Sequence, residues 1–73
     1  MAKQKRENFI RLAENRTNKI LDMIRLLGNL SNKSNYSYDK HDIDKIFNAL
    51  KKELEDTKRK FDVLDVDDKF KLN

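Results

Sequence analysis

Gly28-Asn29-Leu30-Ser31-Asn32-Lys33-Ser34-Asn35-Tyr36-Ser37-Tyr38 is the stretch whose reading decides the fold. It holds the chain's one glycine, both of its tyrosines and every one of its serines. On either side the sequence becomes charged, and apolar residues return every three or four positions. That pattern marks two helices joined by a connector longer than the roughly two to eight residues usual between packed helices.

Upstream, the first helix is expected over about 5–27. Its apolar positions Phe9, Ile10, Ala13, Ile20, Met23, Ile24 and Leu27 keep the helical period. Arg16-Thr17-Asn18 interrupts the stripe, with Arg16 near the middle of the apolar arc. Gly28 falls just past the expected end, where a residue without Cβ suits a left-handed cap. The connector then covers 28–38.

Downstream, Asp39 is a good N-cap and Asp42, three residues on, can reach back to the free amides. Tyr38 and Ile43 have the N′–N4 spacing of a hydrophobic staple. Ile43, Phe47, Leu50, Leu54, Thr57, Phe61 and Leu64 alternate steps of four and three, which is a coiled-coil-like seam with one polar member. Asp56 with Lys60, and Glu55 with Arg59, have i,i+4 spacing on the opposite side. The second helix is expected over about 40–62. The tail, 63–73, loses the seam, leaving open a short third helix, an extended segment or a frayed end. Partial docking is favoured because Val66, Phe70 and Leu72 are apolar.

Folding the second helix back antiparallel places Leu27 by Ile43, Ile24 by Phe47, Ile20 by Leu50 and Phe9 by Phe61. The same register brings Arg16 to Glu53, a candidate polar pair in the core that would fix alignment. The expected fold is therefore all-α, a single domain over 1–73: an antiparallel two-helix hairpin with a long connector. Each helix of such a hairpin buries one stripe, so pairing of two hairpins into a four-helix bundle is expected.

Bulk composition points the same way. At 73 residues, 37% hydrophobic and 41% charged, the chain has little from which to build a core alone. Without cysteine it has neither disulfides nor a cysteine-based zinc site, and a single histidine does not make a metal cluster. Association remains as the source of buried area, so a homodimer is the expected state. No apolar run reaches the length of a membrane span, and the basic start Lys3-Gln4-Lys5-Arg6 leads into Glu7-Asn8 rather than an apolar segment. A cytoplasmic protein is expected. Four Asn-x-Ser/Thr sequons, at Asn15, Asn29, Asn32 and Asn35, are then expected to be unused.

Catalysis finds no foothold. A Gly-rich phosphate loop, a His-Glu-x-x-His pair and a nucleophile with a positioned base are all missing, so an enzyme and a bound cofactor are not expected. His41 reads as an ordinary solvent-facing residue, and Asp42, Asp44, Asp65, Asp67 and Asp68 lack the spacing and glycine of a calcium loop.

Binding is the remaining class. Residues 1–38 carry eight Lys/Arg against three acids, a net +5, and residues 39–73 carry nine against ten, a net −1. A basic first half suits an acidic partner such as nucleic acid. Arg11, Lys19 and Arg25 on helix one, with Asn32, Lys33, Asn35 and Tyr36 in the connector, are the candidate contacts for a macromolecule. Cations attract phosphates and tyrosines stack on bases. Glu14 and Asp22 share the face of Arg11 and Arg25, and a face of mixed charge is more often solvated than a phosphate track.

The runs Arg11-Leu12-Ala13-Glu14-Asn15-Arg16, Ile24-Arg25-Leu26-Leu27-Gly28-Asn29-Leu30-Ser31-Asn32, Ser34-Asn35-Tyr36 and Asp42-Ile43-Asp44-Lys45-Ile46-Phe47 resemble small uncharacterised proteins of bacterial plasmids, phages and integrative elements. The likeness covers residues 9–61 and implies a mobile-element setting without implying an activity. By architecture only, the chain is also similar to the Rop-type RNA-binding hairpin of plasmids, through Phe9-Ile10-Arg11 and Lys60-Phe61-Asp62 near the helix ends. The expected function is that of a non-enzymatic binding or regulatory protein acting through a protein partner, with nucleic-acid binding by helix one as the alternative.

Overall fold

The structure, a computed structural model, describes the backbone of residues 2–70 and the side chains of residues 3–62. It is all-helical: α1 (Ala2–Gly28), a single 3₁₀ turn (Asn29–Ser31) and α2 (Lys40–Phe70). The chain divides into two units, Met1–Ser37 and Tyr38–Asn73.

Helix α1 runs for 27 residues, starting earlier than the apolar pattern implies. Ala2, Lys3, Gln4, Lys5 and Arg6 are good helix formers, so the backbone continues where the stripe has not yet begun. At Arg6 the guanidinium lies over the Phe9 ring, 5.8 Å from its centroid, one turn along the helix. Near the other end Arg25 donates to Asp22 at 2.9 Å, also one turn apart. Both contacts are exposed and worth a few tenths of a kcal/mol each, roughly what helix-surface pairs give.

The end of α1 corrects the sequence reading. Gly28 is right-handed, with φ −60° and ψ −27°, and no described residue has positive φ. The chain tightens into a 3₁₀ turn instead and is stopped at Asn32, whose φ −71° and ψ 102° are extended. A tightened last turn is one ordinary way to use the free carbonyls of a helix end, and it needs no left-handed residue. The connector is thereby shortened from 28–38 to 32–39. Because a Cβ at Gly28 would meet nothing within 4 Å, glycine gives nothing there and costs backbone entropy. Gly28→Ala is expected to raise stability by about 0.5–1 kcal/mol, read as a higher melting temperature in circular dichroism. A lower one would restore the left-handed cap.

Helix α2 begins where the sequence places it. The Asp42 N–H donates to Asp39 Oδ1 at 2.9 Å, and the Asp39 N–H donates to Asp42 Oδ2 at 3.1 Å. This is a reciprocal capping box with aspartate in the place of the usual glutamate. The Ile43 N–H donates to the Asp39 carbonyl at 3.3 Å, closing the first turn. Tyr38 and Ile43, which have the spacing of a staple, are both half-buried where nearly every other described side chain is exposed.

Helix α2 continues to Phe70, 31 residues in all, past the expected end near Asp62. Losing the seam removes a packing surface without breaking the backbone, and no Gly or Pro follows to stop it. No separate third helix occurs among the described residues. Docking of Val66, Phe70 and Leu72 lies outside the described side chains. The expected Asp56–Lys60 and Glu55–Arg59 pairs are replaced by Asp56 with Lys52 at 3.0 Å and with Arg59 at 3.4 Å. Asp56 is reached from one turn on either side, so one carboxylate serves two cations.

Candidate functional site

Among the described residues there is no hydrophobic core and no fully buried side chain. The least exposed are the half-buried Ala13, Leu27, Tyr38, Ile43, Ile46, Leu50 and Asp56. Large apolar side chains lie open along both helices, from 37% exposed at Leu12 to 64% at Met23. The candidate site is therefore a surface.

Its two parts differ in width. At about 100° per residue, the apolar positions of α1 sweep from Leu26 through Leu12, Met23, Phe9, Ile20 and Ile24 to Leu21, roughly 220° of the circumference. Those of α2, from Ile46 through Ile43, Leu54 and Phe61 to Phe47, cover about 100°, the width of a stripe resting on one neighbour. Arg16 and Lys19 lie inside the wide arc of α1. Arg16 and Glu53 are both exposed, Arg16 within the first unit and Glu53 within the second.

The candidate contacts of the sequence reading fall into two groups. Arg11 and Arg25 share the narrow polar face of α1, where Arg25 is paired with Asp22 and Glu14 lies alongside. A face of mixed sign holds phosphates weakly, because each acid cancels part of a cation's field. Lys19 is set apart from them by its place in the apolar arc.

Asn32, Lys33, Asn35 and Tyr36 are brought together in the connector, and Asn32 organises them. Its side-chain Oδ1 accepts the Ser34 N–H at 2.9 Å, while its carbonyl accepts the N–H groups of Asn35 at 3.1 Å and Tyr36 at 3.0 Å. This is an Asx-turn leading into one turn of helix-like backbone that does not propagate. An asparagine followed by a serine two residues on is the sequence signal for such a turn. Tyr36 is 48% exposed beside the turn. Asn32→Ala is expected to speed amide exchange at Ser34 severalfold, with Asn35 and Tyr36 less affected because their acceptor is a backbone carbonyl. Equal protection in the variant would deny the side chain its role. Lys33 and Tyr36 remain the connector's better probes of binding.

No group of three or more His, Asp or Glu among the described residues could hold a metal ion. His41 is exposed in the first turn of α2. No helix is long and apolar enough to cross a membrane among the described residues.

Among the described residues, fold and surface thus define an all-helical chain with an exposed apolar stripe on each helix and a short, internally bonded connector. Comparison with family models, with known proteins and with solved structures gives no match.

Proposed function

We propose that the chain is a non-enzymatic helical binding protein that folds by association and acts through a protein partner. In this reading α1 and α2 close as an antiparallel hairpin, two hairpins form a homodimeric four-helix bundle, and a remaining exposed surface engages the partner. One observation carries the proposal: both helices leave their apolar stripes open, with no buried side chain among the described residues. Stripes of that size are covered in a stable helical protein, since each large apolar side chain removed from water contributes about 1.5–3 kcal/mol. The resemblance over residues 9–61 adds a mobile-element setting.

Sedimentation velocity and circular dichroism across a concentration series test the association. Helicity and sedimentation coefficient are expected to rise together with concentration. A strict monomer at high micromolar concentration would end the bundle proposal. The hairpin register, which sets Arg16 against Glu53, is tested by a double-mutant cycle on Arg16→Met and Glu53→Gln. A coupling of about 1 kcal/mol is expected for a partly shielded pair, and independent effects would refute the register.

The net +5 of residues 1–38 favours nucleic acid as a second reading. It requires retardation of DNA or RNA at low salt that disappears steeply as salt rises. An apolar protein interface keeps its affinity over the same range.

A further inference from the structure

We propose that the face of α1 made by Ile10, Ala13, Thr17, Leu21 and Ile24 is the contact between two copies of this chain, running antiparallel about a twofold axis at Thr17. The proposal rests on the self-association proposed above and assigns it a surface and a direction.

Three observations support it. The first is the width of the α1 arc. One covering helix takes a stripe of about 100°, which accounts for Phe9, Ala13, Ile20, Met23 and Leu27. Ile10 and Leu21 lie roughly a quarter-turn further round, with Ile24 at the edge between the two faces, and the three are 39%, 41% and 41% exposed. They call for a second neighbour, whereas the narrow stripe of α2 calls for one only.

The second observation is that this face is a palindrome. Ile10, Thr17 and Ile24 are spaced at equal seven-residue steps. An antiparallel copy puts Ile10 against the partner's Ile24, Thr17 against the partner's Thr17, and Ala13 against the partner's Leu21. Small then meets large, which is how facing helix layers interdigitate. Such self-complementarity is what an isologous contact requires, and an unrelated partner would have no use for it.

Charge gives the direction. At the border of this face Glu7 and Glu14 lie in the N-terminal half and Arg25 in the C-terminal half. Arg25 also pairs with Asp22 of its own helix at 2.9 Å, on the side away from this face. Antiparallel copies bring Glu7 to the partner's Arg25 twice over. Parallel copies would set that border against the partner's opposite border, where Phe9 and Leu27 lie, and the Glu7–Arg25 pairing would be lost.

The chain contains no cysteine, so single thiols report the geometry directly. Thr17→Cys, Ile10→Cys and Ile24→Cys are made separately in the full chain, oxidised, and analysed by non-reducing electrophoresis and mass spectrometry. Thr17→Cys is expected to link to itself. Ile10→Cys and Ile24→Cys are expected to remain unlinked alone and to link to each other when mixed. Self-linking of all three would mean a parallel contact and overturn the proposal. A dimer by sedimentation with no links would place the contact elsewhere, overturning this proposal and leaving self-association standing. A monomer would overturn both. Glu7→Arg and Arg25→Glu give a second readout independent of the thiols. Each alone is expected to weaken the dimer at least threefold, and the double variant to restore it. Failure of the double variant to restore it counts against the antiparallel pairing.

Discussion

Leu54→Asp is expected to abolish the concentration-dependent rise in helicity and leave a slowly sedimenting, weakly helical chain. Leu54 lies at the centre of the α2 seam and is 59% exposed. Covering it fully is worth about 1.5–3 kcal/mol, and an aspartate in its place adds the larger cost of shielding a charge without a partner. In a symmetric dimer the substitution occurs twice, so its effect on association doubles and exceeds a hundredfold change in dissociation constant. Lys45→Ala, on the opposite side of the same helix, is the control and is expected to change stability by no more than about 0.5 kcal/mol. Sedimentation velocity and circular dichroism at matched concentrations decide the matter. An unchanged Leu54→Asp protein would remove the seam from the assembly.

Asp39→Ala is expected to cost about 1–2 kcal/mol, the upper part of the range for losing an N-cap. Asp39 accepts the Asp42 N–H and has its own N–H taken by the Asp42 side chain, so removing it breaks one bond and loosens the other. The two aspartates act as a unit. Asp39→Ala with Asp42→Ala is therefore expected to cost less than the sum of the single changes. Asp39→Asn keeps an acceptor and is expected to stay close to the parent. Thermal melts followed at 222 nm measure each variant, and amide exchange at residues 42 and 43 localises the loss. Strict additivity would mean the two bonds form independently.

These two regions also show what sequence alone made legible. The start of α2 was readable because its signals are local: an N-cap, a carboxylate three residues on, and a staple pair that span one turn. The end of α1 was not. Glycine after an apolar helix favours a left-handed cap, but a helix end has several ways to use its free carbonyls. Here a 3₁₀ turn provides another, and the Asn32 side chain then opens the connector by accepting the Ser34 N–H. The extent of α2 was misread for a different reason, since a seam reports where a helix packs and says nothing about where its backbone stops. Asp56 chose Lys52 and Arg59 over the expected partner because i,i+3 and i,i+4 neighbours compete at similar distance. For the candidate site, the stripes and the cations were visible in the periodicity. The periodicity of a helix marks its apolar face and does not by itself show what covers that face.

The short reach of the bonds around the connector has a kinetic consequence. The Asn32 turn, the Asp39–Asp42 box and the ion pairs on both helices join residues two to four apart. Contacts of that separation pay almost no loop-closure entropy and form within about a microsecond, the time of helix–coil relaxation. Their assembly therefore sets no slow step. With no proline in the chain, isomerisation contributes none either. Under the proposed self-association, refolding after dilution from denaturant is expected to be paced by the meeting of two chains, with an observed rate that climbs with protein concentration.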